Sequence, residues 1–204
     1  MTDKFHELDR AKQELIINAA LREFRSSGYE KASTNAIVKE AGISKGSLFV
    51  YFQHKRGLYD YLLDHAAGVL EEVYAALDPE EGDLFERMEQ IGRQKLLVQQ
   101  QWPDVFDFLW SLQEEGSAEV GEEARRRLAS LYERGYAKMY ENMDYSLFRE
   151  DIDPQKAVEV VHWTMNGFGS KQLAQMESFA DMDPEAYMAE WRAYAALLKR
   201  SFYR

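Results

Sequence analysis

The polar side chains of this sequence that are spaced for one common task lie between residues 34 and 55, in the run TNAIVKEAGISKGSLFVYFQHK. Lys45, Gly46 and Ser47 begin a short segment in which Phe49 and Tyr51 are also free to face outward, while Leu48 and Phe52 are free to face inward. An ammonium and a hydroxyl at the start of a helix can meet base edges in the major groove of DNA. Positioning them takes a second helix. Thr34 is placed to cap one whose inward residues are Ile37, Val38 and Ala41; Gly42 then suits a left-handed turn and Ile43 fills the angle between the helices. Ser44 caps the helix that follows, which completes the plan of a helix-turn-helix. An ordinary helical hairpin also accepts Gly in its turn, so the spacing alone leaves both readings open.

No comparable constellation points to catalysis. His6, His54, His65 and His162 lie far apart with no paired metal-ligand spacing, and no Gly-rich phosphate loop, Ser-centred elbow or cysteine occurs. The pairs Glu80-Glu81, Glu114-Glu115 and Glu122-Glu123 are adjacent, and adjacent residues diverge on a helix, so they read as solvated surface. The chain is not expected to be an enzyme, and no catalytic residue, metal or cofactor is expected.

The elements that must hold these residues are helical. Three of the four prolines follow Asp, in Asp78-Pro79, Asp153-Pro154 and Asp183-Pro184, and each pair reads as a helix start. The Asp side chain can accept from first-turn N–H groups, and Pro at the first helical position gives up a donor that has no partner there. Trp102-Pro103 is a weaker signal of the same kind. Apolar residues recur at three- and four-residue spacing, as in Leu128, Leu131, Tyr132, Tyr136, Met139, Tyr140 and Met143, and strand-like alternation is nowhere sustained. The expected fold is all-α, with about nine helices at 9–27, 35–41, 45–52, 55–77, 83–101, 103–114, 118–143, 154–176 and 184–203. The helix at 55–77 is expected to run from the first module into the rest of the chain.

Charge is divided the same way. Residues 1–60 hold ten Lys/Arg against eight Asp/Glu, a balance of +2, in a chain of 204 residues whose net charge is −11. Acid concentrated outside the first sixty residues fits an N-terminal module able to approach a polyanion. With 46% hydrophobic and 13% aromatic residues the chain can bury a core. The N-terminal MTDKFHELDR is charged where a signal peptide is apolar, and no apolar run approaches the roughly 18 to 20 residues that span a bilayer. A soluble, cytoplasmic chain without a membrane partner is expected.

Over about its first sixty residues the chain resembles the TetR family of bacterial transcriptional regulators. Ile16, Ile17, Ala19, Ala20, Phe24, Gly28, Tyr29, Thr34, Ile37, Ala41, Gly42, Ile43, Ser44, Gly46, Leu48, Tyr51, Phe52, Lys55 and Leu58 fall in the family's order and spacing. The resemblance implies a three-helix DNA-binding domain at 1–54 and a larger ligand-binding and dimerisation domain at 55–204. It also implies that Thr34 and Ser44 are cap hydroxyls that face phosphates, that Lys55 contacts a phosphate, and that Lys45, Gly46 and Ser47 face the groove. Lys45 would reach guanine O6 or N7. Phe49 stands where the family often has Tyr, which loses a hydroxyl and leaves contact with a thymine methyl, whereas Tyr51 keeps a hydroxyl for a phosphate. His54 replaces a stronger cap, so the start of the next helix is open; it reads as an exposed residue or as a pH-dependent phosphate contact.

Farther along, Trp102, Phe106, Leu109, Trp110 and Gln113 share one helix face, Tyr132, Tyr136 and Tyr140 another, and His162, Trp163 and Asn166 a third. Such residues serve as core or as pocket walls. The resemblance implies a pocket, with Phe106, Trp110, Tyr132, Tyr136, Trp163 and Asn166 as candidates and a small hydrophobic or aromatic effector. No cluster of Lys or Arg stands ready for a phosphate, and Asp104 and Asp107 leave a cationic compound open. The segments 154–176 and 184–203 carry more apolar residues than one inward face needs, and Gly167 and Gly169 inside a helix favour a close approach. The resemblance implies that these segments pair across a two-fold axis in a homodimer, through Val158, Val161, Met165, Gly169, Trp191, Tyr194 and Leu198. The expected function is a repressor released from a palindromic double-stranded DNA operator by its effector. The rival is a helical ligand-binding protein or enzyme that does not bind DNA.

Overall fold

The computed structural model describes residues 3–176 and 178–204, in which strand-like pairing is limited to one isolated bridge between Phe148 and Tyr203. Among the described residues there are ten α-helices: α1 (Asp3–His6), α2 (Arg10–Lys31), α3 (Thr34–Glu40), α4 (Lys45–Phe52), α5 (Lys55–Ala75), α6 (Leu84–Gln101), α7 (Pro103–Ser111), α8 (Gly121–Tyr140), α9 (Pro154–Leu173) and α10 (Pro184–Phe202). Short 3-10 turns lie at Tyr145–Leu147 and Phe179–Asp181.

The all-α expectation is met, and the departures from the expected helices have local causes. α1 is additional: its Phe5 is fully buried, with its ring 4.8 Å from that of Phe52 and 5.3 Å from that of Tyr61. α2 is interrupted at Gly28, where φ is +66°, and one further turn carries it to Lys31. The Tyr29 N–H beside this break donates to the Glu115 carboxylate at 2.9 Å. Asp78-Pro79 opens a turn rather than a helix, with the Asp78 carboxylate accepting from the Glu80 N–H at 3.0 Å. The helix waits for Asp83, whose carboxylate accepts from Phe85 and Glu86. Asp153-Pro154 and Asp183-Pro184 start α9 and α10 as expected, each carboxylate accepting from two first-turn N–H groups.

Packing divides the chain into two units, one running to Glu71 and including Asp104–Arg134, the other made of Glu72–Pro103 and Gly135–Arg204. α5 and α8 each begin in the first unit and end in the second. In the first unit Ile16, Leu21, Phe24, Ile37, Leu48, Phe52, Leu58, Leu62 and Phe108 are almost wholly buried. Each such side chain contributes about 1.5–3 kcal/mol relative to exposure. Tyr59 sits edge-on to Phe24, Tyr29 and Phe108, with centroids at 5.0, 5.1 and 5.7 Å. Arg22 pairs with Glu40 at 2.7 Å and Asp104 at 2.5 Å, and Arg25 pairs with Asp107 at 2.8 Å. Asp104 and Asp107 are thus neutralised within the chain, which removes the cationic-compound option drawn from the sequence.

The second unit packs α6, α9, α10 and the end of α8 around Leu84, Phe85, Met88, Met139, Phe148, Val161, Phe168, Trp191 and Leu198. Arg87, 2% exposed, donates to the carbonyls of Asp78, Glu81, Lys138 and Met139. The last two belong to the final turn of α8, whose carbonyls have no helical partner, so Arg87 closes that helix end. Gly135 leaves room for the Tyr74 ring where α8 meets the end of α5; a Cβ there would push that ring aside. Of the side chains expected at a dimer face, Val161, Met165, Trp191 and Leu198 are buried within the protomer, and Val158 and Tyr194 are half-buried. Val160, Trp163 and Leu197 keep 37%, 65% and 54% of their surface. A Cβ on Gly169 would reach the Tyr187 hydroxyl at 4.0 Å, whereas one on Gly167 would meet nothing within 4 Å.

Candidate nucleic-acid interface

Ser33, not Thr34, caps α3. Its hydroxyl accepts from the Ala36 N–H at 3.3 Å, one residue earlier than the sequence reading placed the cap. Thr34 is the first helical residue, and its hydroxyl has no hydrogen-bond partner among the described residues. Gly42, φ +62°, makes the left-handed turn, and the Ile43 N–H then donates to the Val38 carbonyl at 3.0 Å. Ser44 caps α4 as expected: its Oγ accepts from the Ser47 N–H at 3.0 Å and lies 2.8 Å from the Ser47 hydroxyl. The Ser47 side chain is therefore held against the first turn of α4.

The two sides of α4 separate as its sequence implies. Leu48 and Phe52 are each 2% exposed, while Lys45 and Gly46 stand in solvent with Phe49 and Val50 beside them. Val50 was not singled out from the sequence; apolar and one step from Phe49, it has no spacing signal of its own. Tyr51 is half-buried, its ring 5.9 Å from that of Phe5. The lysines of this module include Lys12, Lys39, Lys45 and Lys55, of which Lys12 donates to the Gly42 carbonyl at 3.3 Å. The competing Glu40 carboxylate is paired with Arg22. Backbone N–H groups at the start of a helix add a partial positive charge, so the exposed start of α4 favours anions.

The end of α4 is fixed by the start of α5. Gln53 has φ +66° and ψ −51°, and the His54 N–H donates to the Phe52 carbonyl at 2.7 Å, a strained γ-turn. His54 resolves the open helix start: its Nδ1 accepts from the Gly57 N–H at 2.9 Å, capping α5 with an unprotonated ring nitrogen. A Cβ on Gly57 would stand 2.3 Å from the Phe52 carbonyl, so only glycine lets the two helices meet here. Lys55 donates to the Glu30 carbonyl at 3.0 Å and lies 4.9 Å over the Tyr29 ring. Its remaining protons are available to an anion.

The candidate pocket residues divide between the units. Phe106 is buried in the first, where Tyr132 is half-buried and Trp110 is 43% exposed. In the second, the Tyr136 hydroxyl donates to Asn166 Oδ1 at 3.4 Å, and Asn166 Nδ2 and the Tyr140 hydroxyl lie 2.8 and 2.7 Å from the two nitrogens of His162. Burial pushes the His162 imidazole below its usual range. Trp163 remains exposed. The first unit also contains a groove of about 500 Å³ between Leu63, Leu109, Leu112 and Leu131, with Arg126, Arg127 and Arg134 lining it. Asp64 lines it as well and pairs with Arg127 at 3.0 Å, and Arg134 pairs with Glu71 at 3.3 Å, so two of these arginines are already engaged by carboxylates.

Residues 16–62 match the family model described as bacterial regulatory proteins, tetR family. The uncharacterized HTH-type transcriptional regulator YuxN of Bacillus subtilis (strain 168) is 39% identical over 56 residues, which is 28% of this chain and 19% of that protein. The chain covers between 19% and 52% of the length of three curated relatives. A TetR family transcriptional regulator from Chloroflexus aurantiacus J-10-FL superposes with a TM-score of 0.64 at 20% identity, over 100% of this chain and 98% of its own. The ketosteroid transcriptional regulator KstR2 of Mycobacterium tuberculosis gives a TM-score of 0.66 at 16% identity, over 97% of each chain. At these identities the two structures show the fold. Among the described residues no helix is long and apolar enough to cross a membrane. In sequence, residues 16–62 match the tetR family of bacterial regulatory proteins, and along its length the chain has the fold of TetR-family regulators.

Proposed function

We propose that the chain is a cytoplasmic repressor that binds a palindromic operator as a homodimer and leaves it when a small hydrophobic or aromatic molecule binds. The observation that carries this reading is the Ser44-capped start of α4, where Lys45 and Gly46 are exposed and Ser47 is held in place. Lys45 and Ser47 read base edges, Gly46 lets the backbone approach, and Phe49 meets a thymine methyl. Thr34, Ser44, Tyr51 and Lys55 bear on phosphates and fix the register.

In this reading residues 1–54 contact DNA and residues 55–204 bind the effector and the partner subunit. α9 and α10 pair across the two-fold axis through the surface they keep in the protomer, namely Val160, Trp163 and Leu197 with the open side of Gly167. α5 begins against the DNA-binding helices, so a ligand that shifts it changes the separation of the two α4 helices. Such a ligand acts only through unequal affinity for the two states, and a difference of a few kcal/mol is sufficient. The test is fluorescence anisotropy with an operator duplex: Lys45→Ala combined with Ser47→Ala is expected to lose at least tenfold in affinity while circular dichroism stays native. Unchanged affinity in that variant would refute the role given to α4.

A further inference from the structure

α6 carries a pair of donors that the DNA-binding reading does not use. Gln99 is 4% exposed and its amide nitrogen is buried with no acceptor. Lys95, one turn earlier on the same face, is half-buried with no carboxylate partner among the described residues. Both line a partly open cavity of about 50 Å³, walled by Leu96, Phe179, Met182, Tyr187 and Trp191. A neighbouring cavity of about 180 Å³ shares Leu96, Gln99, Phe179 and Met182 with it and extends past Pro103 and Pro184. Neither is lined by an acidic side chain, in a chain of net charge −11.

Burying an amide without an acceptor is unfavourable, and native proteins pair such groups with protein, water or ligand. Burial pushes the Lys95 ammonium below the usual lysine range, as expected of a cation with no counter-charge. Burial raises the Tyr187 phenol, which keeps it protonated and leaves a third donor on the same wall. Three donors facing apolar walls of Leu, Phe, Met and Trp call for a ligand with acceptor oxygens at one end and an apolar body at the other.

We propose that the cavity between α6, α10 and the 178–182 turn binds a small organic carboxylate, its oxygens accepting from Lys95 and Gln99 and its apolar body lying against Phe179, Met182 and Trp191. A carboxylate meets both donors at once, and the charge-assisted bond to an ammonium is the stronger kind. The smaller cavity holds only the carboxylate end, and the adjoining one of about 180 Å³ limits the body to a short alkyl chain or a single ring. This names a ligand class for the ligand-responsive reading, yet its test needs no DNA, so the two can fail separately.

The experiment is isothermal titration of the full chain with octanoate and phenylacetate, each paired with its neutral amide. At least one carboxylate is expected to bind, at least fivefold more tightly than its amide. Lys95→Met is expected to weaken that binding at least fivefold, as is Gln99→Glu, which keeps the size of the side chain and places a like charge against the ligand. Thermal melts establish that each variant is folded. Absence of binding by both carboxylates, or a loss smaller than fivefold in a folded variant, overturns the proposal and leaves the cavity to water.

Discussion

A hydroxyl that caps a helix accepts from a first-turn N–H, and of the adjacent Ser33 and Thr34 it is Ser33 that does so. Ser33 accepts from the Ala36 N–H, and Thr34 stays without an internal partner. Ser33→Ala should therefore cost about 1 kcal/mol of stability in chemical denaturation, whereas Thr34→Ala should cost little and weaken DNA binding instead. Equal stability losses for the two would mean that the cap is shared. The sequence could not separate them, because either residue type can cap and spacing does not resolve a shift of one position. Ser44 was legible, since the Gly42 turn before it and Leu48 and Phe52 after it fix the register. His54 was not, because an imidazole that caps through Nδ1 looks in sequence like any exposed histidine.

At the scale of elements, helix ends are where this chain spends its polar side chains. Arg87 illustrates the cost of leaving one open. Its guanidinium serves four carbonyls, two of them in the last turn of α8. Arg87→Met keeps the apolar stem and removes every donor, and it should destabilise the chain by roughly 3 kcal/mol in urea titration, as expected for buried carbonyls stripped of a charged partner. A loss below about 1 kcal/mol would show that water replaces the guanidinium. The helices themselves were legible from apolar periodicity and from the Asp-Pro pairs at 153–154 and 183–184. α1 was not, since four residues give no periodicity and Phe5 finds its partners, Phe52 and Tyr61, only in the folded unit. Asp78-Pro79 shows the limit of the pair as a signal: a side chain that can cap can also close a turn.

For the whole molecule, the excess of apolar residues on α9 and α10 was read from the sequence as an interface, yet periodicity cannot say which of them a protomer keeps for itself. Trp163 keeps most of its surface while Trp191 is buried, and that difference selects the residue to change. Trp163→Glu should give a monomer in sedimentation velocity and lose operator binding with it; a variant that remains a dimer would place the interface elsewhere. Charge also acts at this scale, because the excess of acid lies outside the first sixty residues and leaves the N-terminal module able to approach a polyanion. The central claim is that α4 reads sequence in a two-fold arrangement, and selection of bound duplexes from a random DNA pool at about 0.15 M salt tests it most directly. Enrichment of one inverted repeat, with half-sites about one helical turn apart, is the predicted result. A folded protein that enriches no sequence, or only a single half-site, would contradict it.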